Sequence, residues 1–146
     1  MNLIALGTLH NTQFINGKIY QNVAPSFEHV RAVLAIEDVF NSSFGRDYVW
    51  RESPIRAGGF PEPDIALLRV ASSALKDYPT PSQVVCVVEV AISSHDFDVN
   101  TKMPAYQEAG IEAGLVVSPR PDGTLDIVAE FGAVDEVNAL LTSLRL

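Results

Sequence analysis

Residues 84–92 read VVCVVEVAI, an apolar run broken by a single carboxylate, Glu89. Such a valine-rich run predicts a strand buried on both faces. Upstream, TQFINGKIYQNV sets two short, partly apolar stretches about Asn16-Gly17. That dipeptide accepts positive φ at both turn centres, so the stretch predicts a β-hairpin. Pro25-Ser26 then announces a helix, with Ser26 as N-cap and Glu28 and His29 in the first turn. Val30, Val33, Leu34, Glu37 and Phe40 form a mostly apolar stripe at helical spacing, and the helix should end at 41–45.

Loose alternation over 47–56, a turn at Gly58-Gly59 and DIALLRV after Pro63 predict two further strands. Past the central strand, 93–97 reads as a turn and 98–109 as a helix stopped by Gly110. Pro104 inside that helix predicts a late start or a kink. LVVSP and TLDIVAEF follow as strands about a PDG turn, and 134–144 as a last helix. This order predicts one domain over 1–146, of the α/β (α+β) class, with a mixed sheet packed by helices.

Glu89 raises the chemical question. Strand alternation puts it on one face with Val85, Val87 and Ala91. Val84, Cys86, Val88, Val90 and Ile92 are expected to form uninterrupted core on the other. An ionised carboxylate removed from water costs several kcal/mol unless it is paired, metal-bound or protonated. One compensating partner is Lys102 on the next helix, with Asp98 four positions earlier on the same helical face. The other is a second acid, Asp64, with Glu62 two positions before it. Two carboxylates brought together repel, and a divalent cation between them removes the repulsion; Mg2+ typically takes one or two carboxylates plus waters. A nearby lysine can orient or activate water, or stabilise developing negative charge. Taken singly, each of these residues reads more simply as an ion pair or a turn cap. An acid after a loop, an acid mid-strand about 25 positions on and a lysine on the next helix together favour chemistry.

Composition narrows the class. A hydrophobic fraction of 47% and a charged fraction of 19% are ordinary for a soluble globular chain. No run approaches the ~20 apolar residues of a membrane span. MNLIALGTLHNTQF makes a poor signal peptide. The single cysteine, Cys86, excludes an intrachain disulfide and suits a reduced, cytoplasmic setting, and its buried position predicts an inert thiol. His10 and His95 lack zinc-site spacing with Cys86, Ser93-Ser94 has no Ser-His-Asp context, and no P-loop or GxGxxG is present. The net charge of −8 repels nucleic acid at long range and attracts divalent cations locally. No basic stripe is visible, so a phosphate-binding patch would have to come from Arg46, Arg51, Arg56 and Arg69 gathering in space.

FINGKI in the hairpin, PSFEH at the first helix, EPDIALL, and VVEVAISS followed by Asp98, Lys102, Tyr106 and AGI carry a family likeness. Together, over residues 13–117, they resemble the restriction-endonuclease-like PD-(D/E)XK nuclease superfamily, and within it the Uma-type restriction endonuclease family. The resemblance implies a restriction-endonuclease-like fold and hydrolysis of DNA phosphodiester bonds with Mg2+ (or Mn2+). It implies Asp64 and Glu89 as metal ligands and Lys102 as catalytic base or charge stabiliser, with Glu28 and His29 bordering the site and Asp98 supporting Lys102. In the superfamily the lysine usually stands two residues after the acid, where this chain has Ala91; here it stands on the following helix. A homodimer is also implied. Ala113-Gly114 and Ser118-Pro119 depart from an aromatic pair and an acid common in the family, and the C-terminal portion is short. The acidic balance and these departures favour the alternative, a non-catalytic binding module on the same fold.

Overall fold

Asn16 and Gly17 take positive φ, 49° and 82°, and turn β1 (Thr12–Ile15) back onto β2 (Lys18–Gln21). A computed structural model describes residues 12–22, 24–92 and 95–146; His10, the rest of the N-terminal stretch and Ser93-Ser94 lie outside them. β1 also pairs antiparallel with β4 (Gly59–Phe60), giving a three-stranded sheet ordered β2-β1-β4. The contact is close enough that a Cβ on Gly59 would collide with the Phe14 carbonyl.

The second sheet has five strands in the order β3-β5-β6-β7-β8. They are β3 (Val49–Arg51), β5 (Ile65–Leu68), β6 (Val84–Val90), β7 (Gly114–Pro119) and β8 (Leu125–Phe131). Only β6 and β7 pair in parallel; the other ladders are antiparallel. A parallel pair needs a crossover over one face of the sheet, and here the helical segment 95–108 provides it. The expected mixed sheet packed by helices is present, and helices cover both of its faces.

α1 (Phe27–Phe44) starts where Ser26 Oγ accepts the His29 N–H at 3.1 Å and stops at Gly45, whose φ is 96°. Its buried face is Ala32, Val33, Ile36 and Phe40, packed with Cys86, Val88, Val90 and Leu115 and with Val137 and Leu141 of a C-terminal helix (Asp135–Thr142). The expected stripe was rotated: Val30 and Leu34 are on the exposed side. The opposite sheet face packs Val87, Ala91 and Val116 against Met103 and Tyr106 of the crossover and against Ile55 and Ala57. No described helix is long and apolar enough to cross a membrane.

Three further expectations are corrected. The stretch 47–56 is not one strand, because a 3-10 turn takes Arg46–Tyr48 and only Val49–Arg51 pairs with β5. The crossover begins earlier than residue 98: a short helix, α2 (His95–Phe97), runs into a π-helical turn, Asp98–Lys102, and then α3 (Met103–Glu108). Pro104 thus falls in the first turn of α3, where its missing N–H is tolerated, and the wider π turn absorbs the mismatch. In β6 the ladder with β5 shifts register between Leu67 and Leu68, so Leu68 faces Val84 and Val85 is the extra residue. Val84 consequently packs with Val87, and Val85 with the Cys86 side, the reverse of simple alternation. Ile92, past the end of β6, is exposed. Gly114 explains one departure in sequence: the Phe131 ring and Met103 Sδ fill the space that its side chain would need.

Candidate active site

Asp64 immediately precedes β5, whose Ile65 pairs with Val88, so Asp64 and Glu89 come side by side across the strand pair. Backbone fixes them both. The Asp64 N–H donates to Glu89 Oε1 at 3.3 Å, and Asp64 Oδ2 accepts the Val90 N–H at 2.7 Å. From the π-helical turn, Lys102 Nζ lies 2.9 Å from Glu89 Oε2 and donates to the Glu62 carbonyl at 2.8 Å. One turn further on, the Tyr106 hydroxyl donates to the same Glu89 Oε2 at 2.6 Å. His29, in the first turn of α1, places Nε2 at 3.2 Å from Asp64 Oδ1.

Asp64, Glu89, Lys102 and His29 line a cleft of about 880 Å3, with Tyr106 buried behind Glu89. Glu89 is 1% exposed and Lys102 3%, whereas the Asp64 side chain keeps 17% of its surface open. One wall is the hairpin, tied to the approach to β5 by a closed ring of bonds. Gln13 Nε2 donates to Asn22 Oδ1 at 2.6 Å, Asn22 Nδ2 to Glu62 Oε2 at 3.0 Å, and the Glu62 N–H to Gln13 Oε1 at 2.8 Å. Glu52 stands at the rim with a φ of 49°, a left-handed conformation uncommon outside glycine. Tyr20 and Phe97 close the far side, their ring centroids 5.0 Å apart.

The electrostatics follow from burial and crowding. Burial lifts the Glu89 carboxyl well above its ordinary range; Lys102 opposes this, while Asp64 and Asp98 add to it. Burial also raises the Asp64 carboxyl, but the His29 bond, the Lys102 charge and the Val90 N–H outweigh it, and the net shift is downward. Burial pulls Lys102 down, yet Glu89, Asp64 and Asp98 surround it and hold its ammonium above the usual range. The bond to Asp64 raises His29. One lysine thus faces three buried or half-buried carboxylates, an excess of negative charge that a small hard cation would neutralise. Asp64 and Glu89 are oxygen donors of the kind Mg2+ or Mn2+ takes, and Glu89 Oε1 and each Asp64 oxygen have one contact apiece, against two at Glu89 Oε2. Among the described residues no three His, Cys, Asp or Glu side chains form a ligand cage. Two carboxylates completed by water or substrate oxygens are a donor set of the kind such an ion takes.

The structure brings Asp64, Glu89, Lys102 and His29 together, with Asp98 buried beside Lys102. Glu28 it does not: one residue before His29 on α1 is about 100° around the helix, and Glu28 is exposed and off the cleft. The arginines do not gather either. Arg51 pairs with Glu37, Arg56 with Asp77 and Arg69 with Glu112, and none of these or Arg46 lines the cleft. Burial drives the Cys86 thiol up to about 12, consistent with an inert role. Trp50 packs against the core, its indole donating to the Pro54 carbonyl.

The roles of the Tyr106 hydroxyl, the Glu62 carbonyl and the Gln13–Asn22–Glu62 ring emerge only in the fold. Only Tyr106 had a signal, four positions after Lys102 and so on the same helical side. Tyr106→Phe removes one donor to a buried carboxylate and leaves the ring in place. We expect urea unfolding to show a loss of about 1.5 kcal/mol; no change would mean that Lys102 and the Asp64 N–H satisfy Glu89 without it.

A family model described as "Putative restriction endonuclease" matches residues 3–126. Among solved structures, the chain is similar to the crystal structure of a "putative nuclease" from Anabaena variabilis, with a TM-score of 0.64 and 17% identity. The likeness covers 92% of this chain and 86% of that one, and at this identity it speaks to fold alone. No curated protein matches the sequence.

Proposed function

This chain belongs to the Uma2 family, matched over residues 3–126, and from that premise we propose that its cleft hydrolyses DNA phosphodiester bonds with a divalent cation, Mg2+ or Mn2+. The observation that carries the reading is the meeting of Asp64, Glu89 and Lys102 on the floor of one cleft. Asp64 and Glu89 would hold the ion. When bound, it supplies Lewis acidity toward the phosphate oxygens. The remaining work falls to the chain. The Val90 N–H and His29 orient the Asp64 carboxylate, and Tyr106 and Lys102 fix Glu89 Oε2 so that Oε1 keeps only the longer bond. Lys102, kept protonated by its carboxylate neighbours, suits stabilisation of charge on the phosphate rather than the role of base.

A second reading, the non-catalytic binding module, draws on the pairing of Lys102 with an almost fully buried Glu89, which also satisfies a structural ion pair. Calorimetric titration with Mn2+ and a cleavage assay on plasmid and oligonucleotide DNA separate the two. The hydrolase binds one ion per chain and cuts with Mg2+ or Mn2+ but not with EDTA. Absence of both ion binding and cleavage would rule out the hydrolase, and a partner protein recovered by pull-down would then support the module.

A further inference from the structure

Proteins that grip duplex DNA neutralise several phosphates with lysine and arginine, and the salt dependence of binding counts them. This cleft is built the other way. Its described lining includes Glu52, Glu62, Asp64, Glu89 and Asp98, and its lysine, Lys102, already donates to Glu89 and to the Glu62 carbonyl. Arg56 and Arg69 are held by carboxylates away from it, and Arg51, bound to Glu37, reaches the cleft only through a 3.5 Å pair with Glu52 at the rim. The chain as a whole carries −8, and duplex DNA brings a charge about every 1.7 Å along its axis.

What the cleft does offer is ring surface and amides. Tyr20 from β2 and Phe97 from α2 meet across it, tilted by 52°, both half-buried and both lining it. Ile92, 38% exposed, and the Gln21 amide continue the same lining. Aromatic rings bind nucleic acid by stacking on bases, which a duplex keeps inside its own stack and a single strand presents.

We propose that the substrate strand of this cleft is unpaired: single-stranded DNA, with bases stacked on Tyr20 and Phe97 and the backbone led past Asp64 and Glu89. This rests on the phosphodiesterase reading for the chemistry but not for the binding. The test is fluorescence anisotropy of the full chain with a ~20-nucleotide mixed-sequence oligodeoxynucleotide, alone and annealed to its complement, in Ca2+, with Mg2+ cleavage of both run in parallel. The single strand is expected to bind at least ~10-fold tighter than the duplex, with a log–log salt slope no steeper than about −2. Tyr20→Ala and Phe97→Ala should each weaken single-strand binding ~10-fold, and Tyr20→Phe should retain it. Equal or tighter duplex binding, or a salt slope steeper than about −4, would overturn the proposal without recourse to any variant. Cleavage of duplex with the single strand spared sinks the proposal and leaves the phosphodiesterase standing. A bound but uncut single strand does the opposite, and no binding and no cleavage removes both.

Discussion

Lys102→Met should destabilise the protein by about 3–5 kcal/mol, the usual consequence of leaving one member of a buried ion pair without its partner. Methionine replaces the stem of the side chain but not its charge, so Glu89 is left among Asp64 and Asp98 with only Tyr106 and one long N–H bond. Urea denaturation measures the loss. The double variant Glu89→Gln/Lys102→Met should recover most of it, since both charges are then gone. The pH dependence has a definite sign. Burial, Asp64 and Asp98 push the folded Glu89 carboxyl above its ordinary range, so as pH rises the native state gives up this proton later than the unfolded chain does. Its contribution to stability is fully present below the unfolded value and declines as pH rises through the folded one. Lys102→Met removes the charge that opposes this shift, so the variant should be more stable at about pH 5 than at about pH 8, by a wider margin than the parent protein. A variant equally stable at both would mean that water reaches Glu89.

Asp64→Asn carries the largest expected effect on activity. The change keeps an oxygen for the Val90 N–H and the volume of the side chain, and removes the charge that the ion and His29 both use. Cleavage is expected to fall roughly 10³-fold, about 4 kcal/mol at the transition state. Stability should change little beside the Lys102→Met loss. Mn2+ affinity, measured on the same protein, should fall in parallel. Cleavage retained within about threefold, with Mn2+ still bound, would remove Asp64 from the site.

Much of this candidate site is legible in the sequence, because its cause is local. Only compensation makes a carboxylate in the middle of VVCVVEVAI tolerable, and Lys102 and Asp64 were the partners that chain order offered. Glu28 shows where that reasoning stops. Adjacent to His29 in sequence, it points elsewhere because helical residues lie about 100° apart. The arginines are a second case: spacing allowed them to gather, but each of Arg51, Arg56 and Arg69 met a carboxylate from a distant element first.

Sequence by itself determined the hairpin at Asn16-Gly17, the capped start at Ser26, the stop at Gly110 and the buried central strand. Each follows from backbone sterics or from the period of apolar side chains within one stretch of chain. Tertiary structure alone decided which side of α1 is buried and which valines of β6 face which layer. It also set the π turn that lands Lys102 on Glu89, and the ring of amides that holds the hairpin beside Glu62. Those outcomes depend on where the opposing surface lies, and a one-dimensional pattern is the same for either answer.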